Sequence, residues 1–171
     1  MVSAQPTGTK ATDGALELRR DFALAPRELW HYLVDPTGTA LWFGPWHGDP
    51  GSGSVEVVLS VEEGAPTQQV DILHCDPQGF ELTVRTGEGE GVWRLELAIT
   101  ETNDGSQLIF RMPGLGPAMA GSVGPGWDFY LDRLVTAARG GDPSGVLFEP
   151  DYYPALKDYY EALFLPDKPA D

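Results

Sequence analysis

The sequence predicts an α+β domain: a curved antiparallel sheet of about six strands wrapped around one long C-terminal helix. The first observation behind this is a series of period-two apolar runs between Ser54 and Met112, separated by short turn signals. The second is the stretch from Gly114 to Gly141, the one segment whose apolar residues recur at helical spacing over several turns. The third is bulk composition. A chain of 171 residues, 42% hydrophobic and 11% aromatic, suits a single domain with a real core.

Residues 1–14 have no apolar run and read as a disordered lead to a domain spanning 15–141. Leu16, Leu18, Arg20, Phe22 and Leu24 alternate with Glu17, Arg19, Asp21 and Ala23, the pattern of a half-buried strand. Pro26 then opens a helix that Asp35-Pro36 closes, with Leu29, Trp30, Leu33 and Val34 on its apolar face. A second short helix is expected over Thr37 to Trp42. It ends in the aromatic turn Leu41-Trp42-Phe43-Gly44-Pro45-Trp46. Gly48 to Ser54 is a loop by composition. Strands follow over Ser54–Val61, Thr67–Cys75, Phe80–Arg85, Trp93–Thr100 and Leu108–Met112, with turns at Asp76–Gly79, Glu88–Gly91 and Asn103–Ser106.

In the long helical stretch, Met119, Val123, Trp127, Tyr130, Leu131, Leu134 and Ala138 share one face, while Asp128, Asp132, Arg133 and Arg139 fall mostly on the other. Gly140 and Gly141 mark its end. Gly124-Pro125-Gly126 interrupts it, because an internal proline removes one backbone bond and clashes with the preceding turn. Either the helix kinks there, or a short helix ends near Val123 and the long one starts at Pro125. Residues 142–171 form a tyrosine-rich extension whose Tyr152, Tyr153, Leu156, Tyr159, Tyr160 and Leu163 recur at helical spacing; its tail beyond Pro166 reads as frayed.

Two segments are familiar. RRDFALAPRELWHYLVDPTGTALWFGP resembles the opening of the START-like SRPBCC superfamily, and GVWRLELAITETNDGSQLIFRMPGL followed by GWDFYLDRLVTA resembles its second half. Within it, the sequence is most similar to the branch named after the activator of Hsp90 ATPase homologue. The resemblance covers Leu16 to Gly140 and implies a helix-grip fold. It does not choose among ligand carriers, cyclases, hydroxylase components and co-chaperone domains, all of which share that fold. The glycine-proline-glycine break, the short strands after Gly51 and the C-terminal extension depart from the pattern.

A net charge of −15 argues against nucleic acid or an anionic membrane as a partner. The lone Cys75 rules out an internal disulfide and fits a reducing, cytoplasmic setting. No run approaches the ~18 apolar residues of a membrane span, and the N-terminus lacks the apolar core of a signal peptide. His31, His47 and His74 form no metal-spaced pair, and neither a nucleophile elbow nor a phosphate-binding glycine loop is present, so no catalytic residue, metal site or cofactor is called for.

The binding signal is stronger. A sheet curled around a helix leaves a wedge suited to a concave apolar site. The residues placed around it are Trp42, Phe43 and Trp46 from the aromatic turn and Trp93, Leu95, Phe110 and Met112 from strands. The helix supplies Met119, Val123, Trp127 and Tyr130. Trp30, Phe110 and Met112 also suit plain core packing, whereas Trp93 and Trp127 are the better pocket candidates. The function expected is binding of a small, largely apolar molecule. The alternatives are a protein-interaction or co-chaperone-like module, with a homodimer through the extension, and a cyclase- or hydrolase-like enzyme using the same cavity.

Overall fold

The computed structural model describes residues 4–87 and 92–166. The expected turn at Glu88–Gly91 and the expected frayed tail past Pro166 lie outside the described residues. The elements in chain order are β1 (Thr9–Lys10), β2 (Leu16–Phe22), α1 (Pro26–Val34), α2 (Pro36–Thr39), β3 (Trp46–His47), β4 (Ser54–Val58), β5 (Thr67–Asp76), β6 (Glu81–Thr86), β7 (Trp93–Thr102), β8 (Gly105–Met112), α3 (Pro117–Ala138) and α4 (Lys157–Phe164).

The strands form one eight-stranded antiparallel sheet in the order β1-β2-β8-β7-β6-β5-β4-β3. Eight rather than about six strands are present because β1 and β3 are two-residue edge strands, too short to show periodicity. The alternation predicted for β7 and β8 places Leu95, Leu97, Ile99, Leu108, Phe110 and Met112 on the buried face. In β5 the register shifts between Ile72 and His74. This extra residue reverses the alternation, so that Val70, Ile72 and Cys75, rather than His74, line the concave side.

α1 starts as its sequence dictates: Pro26 takes the first position and the Glu28 carboxylate accepts from the Ala25 N–H at 3.0 Å. Asp35 ends α1 and caps α2, accepting from the Thr37 N–H at 2.9 Å. α2 is shorter than predicted, closing at Thr39. The aromatic turn then docks on the end of α1. The Trp42 indole donates to the Tyr32 carbonyl at 2.8 Å, and the Trp46 indole to the Val34 carbonyl at 3.1 Å. Gly44 is required there, since a Cβ would lie 1.8 Å from the Val58 carbonyl oxygen.

α3 is one continuous 22-residue helix with Pro125 inside it, not two helices separated at Val123. Two residues of its supposed polar face, Asp128 and Arg133, are also buried. Asp128 is 0% exposed and pairs with Arg20 of β2 at 2.8 Å. Arg20 reaches Asp132 as well, at 3.0 Å.

This second buried side receives the two chain ends. The extension packs Tyr152, Leu156, Tyr160 and Phe164 into the core. The Tyr160 hydroxyl donates to Asp128 and accepts from the Gly8 N–H, while Thr7 donates to Asp128 through both its N–H and its hydroxyl. Residues 7–10 are therefore not part of a disordered lead: Thr7 and Gly8 are tied to α3 and α4, and Thr9 and Lys10 pair with β2. No helix among the described residues is long and apolar enough to cross a membrane.

Candidate functional site

Two cavities lie in the wedge between the concave sheet and α3. The first has a volume of about 250 Å³. Leu33 and Val34 of α1 and the aromatic turn close one end, while Val55, Val57, Val70, Ile72, Leu82, Val84, Leu95 and Leu97 form the sheet wall. Phe110 and Trp127 complete it, and the polar side chains on its surface are Thr39, Thr86 and Cys75. The second cavity measures about 540 Å³ and is more mixed. Leu59, Val61, Glu62 and Glu63 come from the β4–β5 connection, and Ser122, Val123, Gly126, Trp127, Phe129 and Tyr130 from α3. Trp93 and Leu95 of β7 and Phe148 of the extension also line it.

Phe43, Thr86, Leu95 and Trp127 border both cavities. The partition is aromatic. Phe43 stacks on Trp127 with centroids 5.9 Å apart and planes 14° from parallel, and the Phe110 ring lies 4.5 Å from Trp127, tilted by 38°. Tyr130 meets the Phe43 ring edge-on at 4.9 Å. Arg133 of α3 fixes the turn carrying Phe43 by donating to the Trp42 carbonyl at 3.0 Å.

Of the residues singled out in the sequence, Trp42, Phe43, Trp46, Leu95, Phe110 and Trp127 border the first cavity. Phe43, Trp93, Leu95, Val123, Trp127 and Tyr130 border the second. Two residues are placed elsewhere. Met112 is buried in the core at the β2–β8 pairing, opposite Leu16, and Met119 is 48% exposed in the first turn of α3. For Met119 the physical reason is rotation: each i, i+4 step turns about 40° around an α-helix, so two steps from Trp127 carry the side chain off the shared face. Sequence reasoning left out the inward residues of β4, β5 and β6 and the α1 pair Leu33 and Val34. The period-two signal that located the strands contained the sheet residues.

Three titratable groups line these cavities with altered proton affinity. Burial pushes the Tyr130 hydroxyl up, the Glu62 charge adds to this and Arg133 opposes it. That hydroxyl is covered and has no hydrogen-bond partner among the described residues. Partial burial at the rim raises the Glu62 carboxyl, and burial followed by the Asp76 charge raises the Cys75 thiol. The histidines lie away from both cavities, exposed, beside Asp35 at 3.6 Å, Glu56 at 2.7 Å and Glu81 at 3.5 Å respectively. Among the described residues no cluster of three or more histidine, cysteine or carboxylate side chains could hold a metal ion. The lining is chemically suited to an apolar surface, with polar groups concentrated in the second cavity.

No protein-family model matches the chain, and no curated protein sequence matches it. Solved structures do. CalU16 from Micromonospora echinospora aligns with 25% identity and a TM-score of 0.67, over 92% of this chain and 94% of that one. MLL2253 from Mesorhizobium loti aligns at 17% identity and a TM-score of 0.63, over 75% of this chain and 98% of its own. DynU16, a protein in the dynemicin biosynthetic locus, aligns at 21% identity and a TM-score of 0.64, over 76% of this chain and 49% of that longer one. With 92% of this chain covered, the similarity to CalU16 reaches into the C-terminal region that the sequence pattern sets apart as an extension. These likenesses support the α+β architecture of a curved antiparallel sheet around a long helix.

Proposed function

We propose that this chain is a member of the START-like SRPBCC superfamily, close to its Hsp90 ATPase activator homologue branch, and that it binds a small, largely apolar molecule between the sheet and α3. The observation that carries the binding reading is the first cavity: about 250 Å³ of space whose walls are aliphatic and aromatic side chains. A filled wedge would have removed the basis for it. Ligand cavities commonly run from about 300 to 1,000 Å³, so this cavity alone suits a guest of one or two rings. The two cavities together suit a larger one. A guest burying about 200 Å² of apolar surface gains roughly 5 kcal/mol of transfer free energy, part of which offsets the entropy lost on association. Affinities in the micromolar range or weaker follow for a purely apolar guest.

Native mass spectrometry of freshly purified protein, followed by organic extraction, tests the reading. A stoichiometric small molecule is the expected result for a carrier or sensor. An empty protein whose melting temperature is unmoved by any apolar guest would count against it, and the same spectrum reports whether the chain is a monomer or a dimer.

A further inference from the structure

We infer that the molecule bound here is a neutral amphiphile: an apolar ring body seated against Trp127, with a hydrogen-bond acceptor directed to the Tyr130 hydroxyl in the second cavity. This inference rests on the ligand-binding reading above and narrows its chemical class.

Three features of the two cavities set the class. Among the described residues neither is lined by a lysine, arginine or histidine, whereas Glu62 and Glu63 line the second. A carboxylate or phosphate guest would shed its hydration and sit beside two like charges, while Arg133, the cation that acts on Tyr130, is engaged by the Trp42 and Pro143 carbonyls. Fatty acids, nucleotides and other anions are therefore poor guests. The second feature is Tyr130. Its ring lines the second cavity, but its hydroxyl is fully covered and has no partner among the described residues. Buried hydroxyls ordinarily find a partner, and an unmet one is an unfavourable feature that persists where something else repays it. With its proton affinity raised by burial, this phenol stays protonated and acts as a donor. The ligand must therefore supply an acceptor, such as a ketone, ester or ether oxygen.

The third feature is the wall that covers this end. Leu59, Val61, Glu62 and Glu63 come from the connection between β4 and β5, whose residues 60–66 are all exposed. A segment with no fully buried side chain can shift at a small free-energy cost. A guest that moves it enters the Tyr130 side of the cavity, where the Glu62 charge already acts on the phenol, and gains the hydroxyl's bond. The opposite side, Phe43 and Trp127, is held by stacking and by the Arg133 contact to the Trp42 carbonyl. The apolar body thus meets the rigid side and the acceptor the movable one.

Three matched probes test this: 2-acetylanthracene, 2-ethylanthracene and anthracene-2-carboxylate, titrated against the full chain by quenching of tryptophan fluorescence. The ketone is expected to bind about tenfold tighter than the hydrocarbon, the worth of one hydrogen bond to a buried donor, and the carboxylate more weakly than either. Tyr130→Phe should cost the ketone about tenfold more than it costs the hydrocarbon while leaving the melting temperature unchanged or raised. Glu62→Gln combined with Glu63→Gln should improve the carboxylate alone.

Hydrocarbon binding with no ketone preference, a ketone preference that survives Tyr130→Phe, or a carboxylate as tight as the ketone would each overturn the inference and leave the ligand-binding reading standing. Failure of all three probes to bind would overturn both.

Discussion

Tyr160 lies flat across Gly124: a Cβ placed on Gly124 would sit 2.2 Å from the Tyr160 ring. The glycine-proline-glycine sequence that looks like a helix break is therefore a docking notch. Gly124 lets the α4 tyrosine approach the α3 backbone, and on its far side Gly8 approaches the same ring, where a Cβ would meet it at 2.6 Å. Tyr160 is 0% exposed and cannot swing aside. Gly124→Ala should therefore destabilise by about 1–3 kcal/mol despite its gain in helix propensity. Gly126, two residues on, has open space around it. Gly126→Ala should stabilise by up to about 1 kcal/mol. Melting temperatures of the two variants should move in opposite directions, and a rise for both would show that Tyr160 is not seated in the notch.

The Arg20–Asp128 pair is the polar counterpart of that notch. Asp128 is fully buried and is met by Arg20, Thr7 and Tyr160, so all its acceptor sites are engaged. Burial works against the Arg20 charge, yet Asp132 and Asp128 together hold its guanidinium above the usual value. Without Asp128, Arg20 keeps only the partly exposed Asp132 as an acid partner, and the buried Tyr160 hydroxyl loses its acceptor, a loss of about 3 kcal/mol. Asp128→Ala should thus lower stability by that amount and increase hydrogen exchange at Gly8 and in α4. Equal protection in the variant would mean the chain ends are held by apolar packing alone.

The legibility of this fold in its sequence follows signal length. β7 was readable because Trp93 to Thr100 alternate without a break, and β8 through Leu108, Phe110 and Met112, although its first inward residue, Ser106, is polar. β1 and β3 were invisible because two residues cannot define a period. Arg20 held the one clue to the second core: it sits in the inward register of β2, between Leu18 and Phe22, and an inward arginine demands a buried acid. That acid, Asp128, falls off the apolar face because helical periodicity assumes one such face, whereas α3 is packed on two sides. For the cavities, the aromatic turn, Trp93, Trp127 and Tyr130 stood out as bulky rings near a break. Cys75 could not, because only the irregular pairing after Ile72 brings it inward.

The tyrosines that anchor the extension make stability sensitive to alkali. Burial first, and then the nearby aspartates, push the Tyr152 and Tyr160 hydroxyls well above the ordinary value of 10.0. A folded-state value raised above the unfolded one means the folded chain keeps its protons while the unfolded chain loses them. The contribution is therefore complete below pH 10 and declines as pH rises beyond it. Each group should lower stability by about 1.4 kcal/mol per pH unit above that point. Denaturant midpoints measured from pH 8 to 11 should show the fall. In Tyr152→Phe the slope should be shallower by one proton, and an unchanged slope would remove Tyr152 from the account.

Cys75 offers a direct report on cavity occupancy. It is the sole cysteine, an exposed residue that borders the first cavity alongside Val70, Ile72 and Leu82. Burial, and then the Asp76 charge, raise its thiol above the usual value, so less thiolate is present at neutral pH than in free cysteine. Reaction with Ellman's reagent at pH 7.5 should therefore be slower than that of free cysteine, and faster at pH 9 as the thiolate fraction grows. A guest in the first cavity covers the residues beside the sulfur and should slow the reaction further, in proportion to occupancy. Trp127→Ala removes the shared wall between the cavities, so a guest that slows labelling in the parent should protect Cys75 less in this variant. Labelling at the free-cysteine rate with or without guest would place the thiol outside the cavity and detach it from ligand binding.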